Sequence, residues 1–217
     1  MKKGILALAA FMLMGVHAGA TSLSPTVDFY SFAGGFSDND RLIVNNPGAG
    51  AAFESVAFMD FDVSSLAGQT ITSATLVMEM YCNPGLTCTG DSAGSFMDIS
   101  VNEVGIDVET VTDAAGAAVL MSSIGSVVDT VVASTPGVYT WDLTSLVASW
   151  VADPSSSNGF AITARGAGNG TFNNYFYSSI ATGGMMPVLQ IEATPVPVPA
   201  AIWLLGSALL GLVARRR

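Results

Sequence analysis

Residues 74–81 read Ala74-Thr75-Leu76-Val77-Met78-Glu79-Met80-Tyr81, and this stretch decides the fold class. In an extended chain successive side chains point to opposite faces. Ala74, Leu76, Met78 and Met80 therefore share one face, and Thr75, Val77, Glu79 and Tyr81 share the other. Met97, Ile99 and Val101 alternate with Asp98, Ser100 and Asn102 in the same way. Further strands are expected over Val27–Phe32, Arg41–Val44, Ser55–Phe61, Val127–Ala133, Val138–Trp141, Phe160–Ala164, Tyr175–Tyr177 and Val188–Ile191. Gly, Pro, Asn and Ser clusters separate them, as at Asn45–Gly50, Asn83–Gly85 and Gly166–Gly170. Roughly ten short strands with turn signals between them predict an all-β fold, a jelly-roll-like antiparallel β-sandwich.

One stretch departs from the alternation. After Trp141-Asp142, residues Leu143, Leu146, Val147 and Trp150 recur at offsets of three, four and seven, which predicts one short helix. Pro154 and the Asn158-Gly159 turn close it. Phe61-Asp62-Val63-Ser64-Ser65-Leu66 repeats the pattern of Trp141-Asp142-Leu143-Thr144-Ser145-Leu146. Each aspartate is expected to accept hydrogen bonds from amides at the start of a helical turn, which otherwise lack partners. A catalytic use of these acids is the rival reading.

The charge distribution removes whole classes of function. All seventeen Asp and Glu lie between Asp28 and Glu192. Within residues 21–194 the basic residues are Arg41 and Arg165, so that stretch has a net charge of −15. It contains no lysine, and the single histidine, His17, precedes it. His-based triads, lysine Schiff bases and His-ligated zinc are thereby excluded from it. Nor does it offer nucleic acid a basic surface.

The two ends read as targeting devices. Lys2-Lys3, an apolar run from Ile5 to Val16 and the small residues Ala18-Gly19-Ala20 have the order of a signal peptide, residues 1–20, cut after Ala20. A second apolar run from Ala200 to Ala214 precedes Arg215-Arg216-Arg217. With the uncharged Val196–Pro199 segment it makes a thin C-terminal transmembrane helix, its arginines held on the cytoplasmic side. Residues 21–194 then form the exported domain and residues 195–217 the tail. The chain is expected first as an inner-membrane-anchored precursor facing the periplasm.

Two family resemblances refine this. Pro197-Val198-Pro199-Ala200-Ala201-Ile202-Trp203-Leu204-Leu205-Gly206-Ser207, followed by Leu209-Leu210-Gly211-Leu212 and the terminal arginines, resembles a PEP-CTERM sorting signal, with Val198 in the place of the family's Glu. That resemblance implies a Gram-negative exported protein, processed by an exosortase-like enzyme and delivered to the cell surface or the extracellular polysaccharide of a biofilm. The stretches Phe58–Leu66, Ile71–Leu76, Trp141–Trp150, Asn158–Phe160, Phe176–Ser179 and Pro187–Ile191 are similar, in that order, to segments of DNRLRE-type modules. This second resemblance spans most of residues 26–193. It implies a jelly-roll-like sandwich of secreted and surface proteins, some of which bind polysaccharide.

Few residues stand out for chemistry. Cys82 and Cys88 bracket a turn-rich loop and are expected to form a disulfide in an oxidising compartment, free thiols being the alternative. Tyr30, Phe32, Phe36, Tyr175 and Tyr177 are candidate sugar-stacking rings, against the alternative that they fill the core. Asp38 and Asp40 are candidate calcium ligands, with Asp28 or Asp91 as possible additions, against a plain solvated loop. No other cofactor is called for. Asp60 and Asp62 lie two apart, yet nothing marks an acid and a base. The leading expectation is a non-catalytic structural or adhesive component of the extracellular polysaccharide matrix. A carbohydrate-binding module is the first alternative and a polysaccharide-active hydrolase the second. The negative charge should repel anionic glycans within a Debye length of about 8–10 Å unless divalent ions bridge them.

Overall fold

A computed structural model describes residues 19–32, 35–45, 55–81, 96–167 and 173–196. Cys82 and Cys88, the sorting motif Pro197, Val198 and Pro199, the C-terminal apolar run with Arg215, Arg216 and Arg217, and residues 1–18 lie outside these. Among the described residues no helix is long and apolar enough to cross a membrane.

The strands form two layers, and every pairing is antiparallel. One layer joins β1 (Gly19–Leu23), β12 (Val188–Pro195), β6 (Gln69–Tyr81) and β9 (Gly137–Asp142), and continues from the end of β6 into β11 (Asn173–Tyr177) and β4 (Arg41–Asn45). The other joins β3 (Gly35–Ser37), β2 (Val27–Phe32), β5 (Ser55–Asp60), β10 (Phe160–Ala167), β7 (Phe96–Val104) and β8 (Ile124–Ala133). Among the described residues a single pairing, Asn45 with Ser55, links the layers into one hydrogen-bonded network.

The alternation read from β6 places the core. Ala74, Leu76, Met78 and Met80 are buried beside Leu42, Val44, Phe176, Leu189 and Ile191 of the first layer. They meet Met59, Phe160, Ile162, Met97, Ile99 and Val101 of the second in one continuous cluster. Trp141 on β9 crosses that interface: its Nε1 donates to the Ile99 carbonyl at 2.9 Å, and its ring stands edge-on to Phe176. Burying an indole N–H demands such a partner.

Among the described residues two α-helices are present where one short helix was expected. The anticipated one, α2 (Thr144–Ala152), buries Leu146, Val147 and Trp150. The unanticipated α1 (Ala114–Ser122) is Ala-Ala-Gly-Ala-Ala-Val-Leu-Met-Ser, apolar around most of its girth, so it carries no helical period to read. Asp113 caps it by accepting from the Gly116 amide at 2.8 Å. With the 3₁₀ turn Val108–Thr110, this helix covers the outer face of β2 and β5, burying Phe29, Val56 and Phe58 against Val108, Ala117 and Leu120. Strand β5 is consequently buried on both faces and shows no alternation. Strands β1 and β3 were not anticipated either. Gly19 and Ala20 of β1 fall within the expected signal peptide and pair with Ala193 and Glu192, whereas Thr21–Leu23 lie beyond the expected cut.

Candidate functional site

Three tyrosines from separate parts of the chain meet on the outer face of the first layer. Antiparallel pairing sets Tyr175 opposite Tyr81 and Tyr177 opposite Arg41. Tyr81 stacks on Tyr177 with ring centroids 4.3 Å apart and lies 5.8 Å from Tyr175. The Arg41 guanidinium sits over the Tyr175 ring at 5.7 Å, within cation–π range, and its Nε is buried with no hydrogen-bond partner. Burial pushes the Tyr81 and Tyr175 phenols above their ordinary range, with Asp40 adding to the shift at Tyr81. These two phenols therefore stay neutral donors at physiological pH. The segment after β11 closes over this cluster: the Met185 amide donates to Glu79, and Gly184 packs so closely on Tyr177 that a Cβ there would collide with the ring.

The other ring candidates belong elsewhere. Tyr30 is buried in the main core, 7 % exposed, because β2 turns that face inward. Phe36 packs on Phe29 at 4.7 Å against the second core. Phe32 is exposed but folds across Gly35, its hairpin partner, so its nearest glycine occupies one side of the ring. Of the five candidates, Tyr175 and Tyr177 come together. Tyr81, which sequence placed on the outward face of β6, was not recognised as their partner.

The acids of the β3–β4 turn do not assemble a site. Asp38 and Asp40 are exposed, and Asn39 holds the turn by accepting from the Arg41 amide. Asp28 cannot join them, because its carboxylate is taken by the Ser179 amide and hydroxyl at 2.7 and 2.6 Å. Asp91 lies outside the described residues. Among the described residues no three His, Cys, Asp or Glu side chains converge in metal-holding geometry. The capping expectation does hold: Asp62 Oδ1 accepts from the Ser64 amide at 2.8 Å, and Asp142 Oδ1 from the Thr144 amide at 2.9 Å. These bonds hold both carboxyls below the usual range.

A second concavity, of about 350 Å³, lies between the end of β5, α2 and the Val108–Thr110 turn. Asp60, Asp62, Asp107 and Glu109 line it beside Trp150 and Ser157. Asp60 is 6 % exposed, and its Oδ1 is buried without a hydrogen-bond partner. Desolvation, opposed by the Phe61 amide and reinforced by Glu109, Asp107 and Asp62, pushes its carboxyl up to about 6. The folded protein thus binds a proton more tightly here than the unfolded chain does. The ionisation penalty is absent below pH 4, grows as pH rises through that window, and is complete above about 6. Unscreened, the shift corresponds to about 3 kcal/mol; screening through the pocket mouth brings it to the order of 1–2 kcal/mol. In chelator, Asp60→Asn should therefore be more stable than the parent at pH 7.5 and show no advantage at pH 4. Equal urea midpoints at pH 7.5 would contradict this.

The sequence profile of carbohydrate-binding module family 96 matches residues 31–193, nearly the whole of the double-layered domain. The chain belongs to carbohydrate-binding module family 96. Among curated proteins none matches it. The family supports carbohydrate binding and is typically non-catalytic, so the first alternative reading of the sequence fits better than the leading one. As a family 96 module the chain has one outward aromatic cluster among its described residues that also carries a cationic donor.

Proposed function

We propose that the protein binds a polysaccharide through the outer face of the first layer, with Tyr81 and Tyr177 as the stacking rings and Arg41 as the polar anchor. The observation that carries this is the Tyr81–Tyr177 pair beside an arginine whose Nε has no partner. Carbohydrate sites combine aromatic walls with a few placed polar groups that fix orientation. Tyr175 underlies the pair and holds the guanidinium by its ring. The surrounding charge of −15 favours neutral glycans, anionic chains entering only with divalent ions as bridges. Titration of a glycan array in chelator, repeated with calcium, tests the ligand class. Tyr81→Ala should weaken the best neutral ligand roughly thirtyfold, the order of an aromatic anchor lost from a binding site. Unchanged affinity in Tyr81→Ala and Arg41→Ala together would move the site elsewhere.

We also take the protein to be exported and sorted to the surface, where such binding would tie it into extracellular polysaccharide. The support is the order of charged, apolar and small residues at 1–20 and 195–217. Intact-mass measurement on protein from its native host should give an N-terminus at Thr21 and loss of residues beyond roughly Pro199. A mature form that keeps Arg217 would instead indicate a plain membrane anchor.

A further inference from the structure

We propose that residues 178–187, the connection from β11 to β12, form a lid on the tyrosine face that must lift before a sugar ring can stack on Tyr177. This rests on the reading of that face as the glycan site. The decisive feature is the place of Gly184. A Cβ on Gly184 would meet Cε2, Cζ and Cδ2 of Tyr177, three consecutive ring atoms at nearly equal range. The glycine therefore stands over a face of the ring and not at its edge. Tyr81 stacks on Tyr177 with centroids 4.3 Å apart and planes 20° from parallel. A ring stacked that closely leaves no room for backbone on the same side, so Tyr81 and Gly184 take opposite faces. With the lid down, Tyr177 offers a sugar only its hydroxyl edge, and stacking needs a face.

The segment is attached as a hinged cover is, by its two ends. At the near end the Ser179 amide and hydroxyl donate to Asp28, on β2 of the second layer, at 2.7 and 2.6 Å. At the far end the Met185 amide donates to Glu79, on β6 of the first layer, at 2.6 Å. Between these latches, the one hydrogen bond among the described residues is a turn, from the Ala181 amide to the Ser178 carbonyl at 3.2 Å. Ile180, Thr182, Gly183 and Gly184 are exposed, whereas Ser178 and Pro187, the flanking residues, are buried and stay with the sandwich. A stretch with so few backbone bonds and so little buried surface opens far more readily than the strands beside it. Gly184 has φ of +75°, which suits glycine alone, and the absence of a Cβ lets it lie flat on the ring. A site closed in most molecules binds with an affinity reduced by its open fraction, so loosening the lid strengthens binding.

Amide hydrogen exchange on the full chain in mild detergent, without glycan, tests the lid by itself. The Ser179 and Met185 amides should exchange roughly a hundredfold faster than the amides of β12. Ser179→Ala, which cuts the hydroxyl bond at one end, should speed exchange of the Met185 amide at the other end about tenfold. Gly184→Ala, whose Cβ cannot fit over the ring, should strip protection from both latches and leave β12 protected. A Met185 amide as protected as β12, or one that Ser179→Ala does not affect, would overturn the proposal. Cellohexaose, mannohexaose and laminarihexaose then serve as neutral probes. Whichever of them the parent binds should bind Gly184→Ala and Ser179→Ala roughly three- to tenfold more tightly. That binding should speed exchange at Met185, where a fixed wall would be protected. Weaker binding by both variants, or protection of Met185 on binding, would make the segment such a wall and overturn the lid. Coupled exchange combined with a glycan affinity that Tyr81→Ala does not change would uphold the moving segment and overturn only the glycan reading of the face it covers. If none of the three probes binds, the exchange results decide for or against the lid.

Discussion

Trp141→Ala is expected to remove about 4 kcal/mol of stability, a large part of what a domain of this size possesses. Trp141 is fully buried, and two separate losses add up in the variant. One is the cavity left between the layers, where the indole packs edge-on to Phe176. The other is the Ile99 carbonyl, which would lose the 2.9 Å bond from Nε1. That bond joins β9 to β7 and is a polar link through an otherwise apolar interior. Trp141→Phe restores most of the volume but not the donor, and should cost about half as much. Equilibrium urea unfolding measures both. A loss below about 1 kcal/mol in Trp141→Ala would mean that the layers do not depend on this crossing.

How far the fold was legible depended on whether each strand has one face in water. In β6 a single face is buried, so Ala74, Leu76, Met78 and Met80 announce themselves by spacing alone. β5 is covered on both faces, yet its run of apolar residues still marks an extended segment. What covers it could not be read. α1 is built from alanines, a glycine and apolar residues without a stripe, and its only local signal is Asp113 at the cap. β3 spans Gly35–Ser37, too short for alternation to register, and is formed because β2 offers it an edge.

The sites were legible in proportion to how local they are. Asp62 and Asp142 accept from amides two residues onward, and sequence reading identifies them as caps. The tyrosine cluster joins β6 to β11 and β4, a pairing that no local pattern encodes. Tyr175 and Tyr177 were named as candidates together with Tyr30 and Phe36, which the same kind of reasoning could not place in the interior. The acidic pocket is less local still. Asp60 was visible as one of two neighbouring acids, but its isolation depends on the Val108–Thr110 turn being folded back against β5.

That contact rests on one glycine, and Gly159→Ala is expected to cost about 2–4 kcal/mol. Gly159 has φ of +76°, a left-handed conformation that costs a residue with a Cβ roughly 1 kcal/mol or more. Space makes the cost larger. A Cβ on Gly159 would lie 2.6 Å from the Met59 carbonyl oxygen and 2.9 Å from Val108 Cγ2. The first neighbour is backbone of β5 and cannot rotate away; the second belongs to the turn carrying Asp107 and Glu109. Relief therefore requires β5 and the turn to part, and the preceding Asn158 carbonyl, which accepts from the Val108 amide at 3.0 Å, resists that movement. The wall that parts is the wall of the acidic pocket. Gly159→Ala should consequently lower the urea midpoint while leaving glycan affinity at Tyr81 and Tyr177 unaffected. A variant as stable as the parent would show that the approach of Met59 and Val108 is not fixed by this glycine.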